Sequence, residues 1–162
     1  MRRLLAASCF LLAVSCGEAS TEPSIPEAYL AGGATGLLFT VDLSQTTIAI
    51  GQQSTMTIHL KNPKPTSVRI NFTSGCQVLP YISAGKGSLV YPSGGGWGCP
   101  AVLSSLQIAA NSEFTRTVTI LGGAPSQGYF AGAALSPGIY IAYAEIADNQ
   151  GRSNSVRFEV VK

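Results

Sequence analysis

The chain has 162 residues, which is enough for one domain together with a leader and a short connecting segment. Charged residues make up only 11% of it, and removing Arg2 and Arg3 lowers the basic count from 10 to 8, equal to the 8 acidic residues. Because no net positive charge and no basic cluster remain, the composition argues against nucleic acid as a partner.

Residues 1–15 are predicted to be an export signal. Arg2 and Arg3 precede a nearly unbroken apolar run at residues 4–14, which is too short for an ordinary membrane-spanning helix. The run closes with LAVSC at residues 12–16, which resembles a bacterial lipobox. The resemblance implies cleavage before Cys16 and attachment of lipid to its sulfur. Such boxes usually carry leucine where this chain has Ala13, so plain secretion stays open as the alternative.

Residues 16–35 are predicted to be a flexible tether between the lipid and the domain. Pro23, Pro26 and a Gly-Gly pair at residues 32–33 interrupt any regular element there. Gly17 follows the lipid-bearing cysteine, and in lipoproteins of this kind the lack of aspartate at that position favours the outer membrane. We therefore expect an exported protein of the cell envelope that a lipid anchors to the outer membrane.

Two of the four cysteines belong to the exported domain. Cys9 lies in the leader and Cys16 is the candidate lipid site, which leaves Cys76 and Cys99. In an oxidising compartment two cysteines most simply form one disulfide, which stabilises a loop of this length by roughly 3 kcal/mol. A redox or metal-binding pair is the alternative. It is disfavoured because no C-x-x-C motif occurs and the only histidine, His59, lies in a predicted strand.

Residues 36–162 are predicted to form short strands and no helix. Apolar and polar side chains alternate over residues 55–60 and 68–72, which predicts two half-buried strands. The intervening NPKP at residues 62–65 suggests that these two strands pair antiparallel. Further strands are predicted at residues 37–43, 46–50, 106–108, 114–120, 139–146 and 156–160, and two short strand candidates lie within an insert at residues 78–82 and 89–91. We expect an all-β antiparallel sandwich of about seven to eight strands.

A glycine-rich loop carries the only tryptophan of the chain. Trp97 lies among four glycines at residues 94–96 and 98, immediately ahead of Cys99. Two interpretations stay open: the indole ring binds a partner, or it folds back over the core beside the disulfide. The same two roles apply to three tyrosines in loop-rich stretches, Tyr81, Tyr91 and Tyr129.

Three other side chains have more specific expectations. Tyr140 is predicted to bond backbone at a corner of the sandwich. Arg116 interrupts the apolar face of its strand, so we expect it near a strand edge with its head in water. His59 is predicted to be a solvent-facing strand residue, since no nucleophile motif accompanies it. The acidic residues show no spacing for acid–base catalysis or calcium binding, so we expect no enzyme activity, no metal and no cofactor.

Three segments carry a resemblance to a known family. They are the two strands at residues 57–62 and 68–75, the stretch LQIAANSE at residues 106–113, and the turn LSPGIY at residues 135–140. Together they resemble the immunoglobulin-like domain of the BsuPI group of proteinase inhibitors. The resemblance covers roughly residues 37–161 and implies an immunoglobulin-like β-sandwich and, as an activity, proteinase inhibition.

These observations predict a non-enzymatic cell-envelope lipoprotein that acts as a protein-binding module. Its expected partner is another protein, with a proteinase as the specific candidate, and its expected contact with the membrane is the lipid anchor. The alternative is a passive structural or accessory subunit of an envelope assembly. A hydrolase is disfavoured because the nucleophile, base and orienting residue of such a site are missing from the sequence.

Overall fold

The computed structural model describes residues 29, 30, 34, 36–125 and 131–162. These residues form short strands and no α-helix, which confirms the all-β prediction. In chain order the strands are β1 (Tyr29–Leu30), β2 (Leu38–Leu43), β3 (Thr47–Ala49), β4 (Gln53–Lys61), β5 (Val68–Phe72), β6 (Val78–Ala84), β7 (Leu89–Tyr91), β8 (Ser104–Ile108), β9 (Glu113–Gly122), β10 (Ala133–Leu135), β11 (Gly138–Ile146), β12 (Gly151–Arg152) and β13 (Val156–Val161). The short strands β1, β10 and β12 have no counterpart in the sequence-based prediction.

Two sheets pack face to face as an immunoglobulin-like sandwich. The first sheet contains β7, β6, β11, β13 and β3 in spatial order, with β1 and β12 beside the end of β11. The second sheet has the order β10-β9-β4-β2. Alternate side chains of both sheets point inward, because successive residues of a strand face opposite sides. The largest buried ones include Phe39, Met56, Ile58, Leu60, Ile82 and Ile120.

Most strand pairs are antiparallel, as predicted, but two short pairs are parallel. β3 runs parallel to the last strand, β13, and β10 runs parallel to the end of β9. The chain crosses from β2 in one sheet to β3 in the other, where β3 pairs with the last strand of the chain. A local alternation pattern carries no information about such a crossing, so the sequence could not reveal it.

The prediction that the strands now labelled β4 and β5 pair with each other is wrong. β4 pairs with β2 and β9, whereas β5 pairs with β8 in a separate two-stranded ribbon. The buried side chain of Asn62 explains the difference. Its amide nitrogen donates to three backbone carbonyl oxygens at 2.8–3.2 Å, those of Thr66, Ile108 and Ala109. These bonds turn the connection toward β8 instead of folding it into a hairpin.

The β5–β8 ribbon lies across one end of the sandwich. One end of it is bonded to Asn62, directly after β4. Its other end continues into Thr73, whose backbone N–H and hydroxyl donate to the carboxylate of Asp148, after β11, at 2.6 and 2.9 Å. The ribbon therefore runs from one sheet to the other and covers the core with Ile70, Phe72 and Ile108. We call the end of the sandwich that the ribbon covers the ribbon end. The opposite end, where β4 and β11 begin, is called the far end.

Tyr140 occupies the corner that the sequence predicts. Its hydroxyl donates to the backbone carbonyl of Ser136 at 2.7 Å, four residues earlier in the chain. The ring lies against Phe158 of the neighbouring strand, with ring centroids 5.5 Å apart. A tyrosine near the start of this strand that bonds upstream backbone is a characteristic of immunoglobulin-like domains.

The described part of the chain begins inside the segment that the sequence assigns to the tether. Tyr29 and Leu30 pair with Arg152 and Gly151, and Ala34 is buried. The predicted export signal, the candidate lipid site Cys16 and Tyr129 lie outside the described residues. Within the described part, no helix has the length and apolar character that crossing a membrane requires.

Candidate functional site

A groove of about 430 Å³ runs along one side of the sandwich, between β7 and β10. Residues 90–93 and Trp97 form one wall, and residues 131–134 form the other. β7 is the last strand of its sheet on this side, and β10 is the last strand of the other sheet, as far as the described residues show. The groove therefore lies between two sheet edges. We call it the aromatic groove.

Trp97 folds back onto the sandwich and is half-buried. Its indole N–H donates to the carbonyl oxygen of Pro80 at 3.1 Å. Its ring meets Tyr91 edge to face, with centroids 5.5 Å apart and planes at 84°. The ring thus packs at the margin of the core while also lining the aromatic groove. The ring therefore folds back over the core, as one of the two sequence-based interpretations predicts, and a role of Trp97 in binding stays a prediction.

Arg116 supports Trp97 from the side of the other sheet. It lies where β9 has β4 on one side and no described strand on the other, so it is near an edge, as predicted. Its guanidinium group contacts other protein groups, whereas the sequence predicted that it would reach water. One guanidinium nitrogen donates to the carbonyl of Val78, and the guanidinium carbon lies 5.5 Å from the centroid of the Trp97 ring. The carbonyl and the ring face replace part of its hydration, and cation–π contacts of this kind contribute about 0.5–2 kcal/mol.

Tyr81 belongs to a different surface from Trp97 and Tyr91. It stacks on Tyr143, its cross-strand partner on the outer face of the sheet, with centroids 5.3 Å apart and planes at 16°. The guanidinium of Arg152 lies 3.8 Å from the centroid of Tyr143. Burial, and then the negative charge of Glu145, raise the pKa of the Tyr81 hydroxyl above 10.0. The sequence grouped Tyr81 with the candidate binding loop, but this tyrosine does not line the aromatic groove.

The predicted disulfide is present and supports a second surface. Cys76 and Cys99 are bonded, and the Pro100 carbonyl accepts a hydrogen bond from the N–H of Gly75 at 2.8 Å. The Ser104 hydroxyl donates to the backbone carbonyl of Ser74 at 2.7 Å. Residues 99–103 are thus fixed at both ends, and we call them the braced loop.

The braced loop exposes two neighbouring aliphatic side chains. Val102 is 56% exposed and Leu103 is 81% exposed, the highest value among the large apolar residues that the structure describes as exposed. Sequence reasoning did not single them out. Their adjacency shortly after the Cys99-Pro100 pair was the available signal, but only the structure shows that they face solvent.

Sequence reasoning also missed the environment of His59. The side chain lies on the outer face of β4, as predicted, and is 30% exposed. One ring nitrogen lies 3.4 Å from a carboxylate oxygen of Asp42 on β2, and the other bonds Glu113 on β9. The two nitrogens face different carboxylates, so the three groups do not converge on one point. Within the described residues, no group of three or more histidine, cysteine or acidic side chains is arranged to hold a metal.

The chain has no match among protein-family models or among curated proteins. Among solved structures, the CARDB domain of a Pyrococcus furiosus protein is similar in backbone, at 16% identity over 77% of this chain and 95% of that one, with a TM-score of 0.42. The alkylpurine DNA glycosylase AlkC of Pseudomonas fluorescens gives 13% identity over 78% of this chain and 31% of its own, with a TM-score of 0.44.

A β-glucosidase of Erythrobacter marinus is a further similar structure, at 12% identity and a TM-score of 0.42, over 77% of this chain. The chain spans about a third of the glycosylase and about a sixth of the glucosidase. None of these likenesses carries an argument about function.

Proposed function

We propose that this protein is a non-enzymatic, lipid-anchored component of the cell envelope whose immunoglobulin-like domain binds another protein at the aromatic groove. One observation carries the proposal. Trp97 and Tyr91 form a fixed wall along a groove that lies between two sheet edges. Anchoring at Cys16 and placement at the outer membrane are parts of the proposal that rest on the sequence of residues 1–17 alone.

The aromatic wall is suited to a protein partner. Tryptophan and tyrosine contribute large contact areas and dominate binding energies at protein interfaces. The hydrogen bond from Trp97 to Pro80 holds the indole ring before any partner arrives. Binding then costs little side-chain entropy, because the ring is already ordered.

The opposite wall favours an extended segment of that partner. Residues 131–134 are small, with the sequence AGAA, so they leave space for side chains that enter the groove. The outer edges of β7 and β10 carry no strand in the described part of the chain. Extended peptides bind such edges by adding a strand, with backbone hydrogen bonds for affinity and side-chain pockets for specificity.

A proteinase is the specific candidate partner. This finer proposal is supported only by the resemblance of residues 57–62, 68–75, 106–113 and 135–140 to the BsuPI group. A panel of secreted and envelope proteinases, with this protein at micromolar concentration, tests it. Inhibition of one proteinase together with a shift in the emission of Trp97, the only tryptophan, is the expected result. No inhibition of any proteinase would remove the inhibitor label.

Two matched variants test the groove itself. Ala134→Arg places a long side chain in the aromatic groove at an exposed position of β10. Thr117→Arg places the same side chain at an exposed position of β9, facing away from the core. We expect Ala134→Arg to weaken partner binding at least about tenfold, as expected for blocking a central contact, and Thr117→Arg to leave it unchanged. Equal effects of the two variants would contradict the assignment of the groove.

The alternative, a passive accessory subunit, differs in how its partner behaves. Crosslinking in intact membranes would then recover one partner in stable, stoichiometric amounts, whereas a regulatory interaction is transient.

A mass spectrum of the mature protein from membranes tests the proposed export and lipid anchoring separately. We expect cleavage before Cys16, a lipid on its sulfur and a mass consistent with the Cys76–Cys99 disulfide.

A further inference from the structure

We propose that the braced loop contacts the membrane surface, with Val102 and Leu103 in contact with lipid. The inference rests on the lipid anchor of the proposed function but not on the aromatic groove. Three features support it: the rigidity of the loop, its position relative to the N-terminal segment, and the chemistry around Leu103.

The loop is held in place before it meets any surface. The disulfide fixes Cys99, the Gly75 N–H fixes Pro100, and the hydroxyl of Ser104 fixes the start of β8. Exposed apolar side chains on a monomeric protein mark contact sites for proteins or membranes when they adjoin one another. Val102 and Leu103 are adjacent in sequence and both more than half exposed.

The chain enters the domain at the same end as the braced loop. Tyr29 pairs with Arg152 of β12, which itself pairs with the last residues of β11. The turn between β11 and β12 contains Asp148, which is bonded to Thr73, the residue before Ser74. Contacts therefore lead without interruption from the first described residues to the braced loop, and all of them lie at the ribbon end.

The length of chain before β1 limits how far this end can move from a bilayer. Twelve residues separate Cys16 from Tyr29. Even fully extended, they reach at most about 45 Å, so Tyr29 stays within about that distance of a lipid on Cys16. Because the tether joins the ribbon end, the ribbon end is closer to the membrane than the far end on average. The tether therefore keeps the effective concentration of lipid around the ribbon end high, as a linker does for two joined binding partners.

The surroundings of Leu103 fit a lipid headgroup region. Leu103 shares a shallow depression with Arg69, whose guanidinium donates to the Ser105 hydroxyl at 2.9 Å. Basic side chains beside exposed aliphatic ones are typical of surfaces that lie in the membrane interface, where the cation meets anionic headgroups. Asp148, a carboxylate at this end, accepts hydrogen bonds from Thr73.

The test places a tryptophan at Leu103 and at a control position. The control is Ile50, an exposed aliphatic residue of similar size, 49% exposed, at the far end. The length of β4 separates the two ends by about 27 Å, at about 3.3 Å per residue. Leu103→Trp and Ile50→Trp are each combined with Trp97→Phe in the mature protein purified from membranes. Each protein is reconstituted into vesicles of phosphatidylethanolamine and phosphatidylglycerol with brominated acyl chains, which quench nearby tryptophan.

We expect Leu103→Trp to lose more than about half of its emission, since interfacial side chains lie within the upper part of the acyl region, and Ile50→Trp to lose almost none. Equal quenching at the two positions, or none at Leu103→Trp, would overturn the inference. If Trp97→Phe unfolds the domain, Trp97 is kept and its wild-type emission is subtracted. If mass spectrometry finds no lipid on Cys16, the anchor fails, and the same quenching with added vesicles still decides whether the loop contacts lipid.

Discussion

The side-chain amide of Asn154 binds both backbone groups of Val41. Its oxygen accepts the Val41 N–H at 2.7 Å, and its nitrogen donates to the Val41 carbonyl at 3.1 Å. β2 is the outermost strand of its sheet among the described residues, so Asn154 occupies the place of a neighbouring strand. Asn154 lies between β12 and β13, and the contact therefore also joins the two sheets.

Replacing Asn154 with alanine should weaken the fold and open this edge. The free energy of unfolding should fall by about 1–3 kcal/mol, because a part-buried backbone pair loses its partner. The exposed edge of β2 should also favour self-association at high protein concentration. Urea unfolding measures the first effect and size-exclusion chromatography the second. Asn71→Ala, at an exposed position of the ribbon, is the control and should change neither.

Removing the disulfide should cost stability and release the braced loop. The bridge joins residues 23 apart in sequence, and closing such a loop contributes about 3 kcal/mol on the chain-entropy model. The paired change Cys76→Ser and Cys99→Ser should lower the free energy of unfolding by about that amount. Hydrogen exchange at residues 99–103 should accelerate at the same time. Unchanged stability and exchange would mean that the hydrogen bonds of Gly75 and Ser104 hold the loop alone.

Gly122 should not tolerate a side chain. A methyl group there would overlap the carbonyl oxygen of Ala49, which belongs to the facing strand β3. Gly122→Ala should therefore destabilise the domain by about 1–3 kcal/mol or more, as overpacking of rigid backbone does. Gly96→Ala is the control, since a methyl group there meets no atom within 4 Å. Thermal unfolding of the two variants should differ, and equal midpoints would show that β3 can move aside.

Alkaline pH should destabilise the fold through its tyrosines. Burial raises the pKa of Tyr140 above 10.0, and burial is also the main cause that raises the pKa of Tyr81 and Tyr143. The folded state then holds these protons more tightly than the unfolded state, so stability is complete below pH 10.0 and falls as the pH rises above it. Urea unfolding across this range should show the fall, with a smaller slope in Tyr140→Phe. A flat profile would contradict the pKa directions.

Strand positions could be predicted from the sequence, but strand partners could not. Alternation with period two is local, so β2, β4, β5, β11 and β13 were all located within one or two residues of their observed bounds. Pairing depends on distant residues: Asn62 redirects the chain through carbonyls 46 and 47 residues away. The strands β1, β10 and β12 contain only two or three residues, too few to show a pattern.

The candidate site was predicted in part. Trp97 and Tyr91 were singled out because they lie in a glycine-rich loop and a loop-rich stretch, and the fold places their rings together. Tyr81 lies on β6, and its ring stacks on Tyr143 at the outer face of the sheet. Its position in a loop-rich stretch of sequence could not reveal which face of the sheet it occupies. The cluster of His59, Asp42 and Glu113 arises from the register of three neighbouring strands, and their separation in sequence concealed it.

Site-specific crosslinking in intact membranes tests most directly whether the aromatic groove binds a protein. A photoreactive residue replaces Ala134, in the groove wall, or Thr117, an exposed residue of β9 that does not line the groove. The proposal predicts one discrete adduct from position 134, its loss in Tyr91→Ala, and no such adduct from position 117. No adduct from position 134, or the same adduct from both positions, would contradict it.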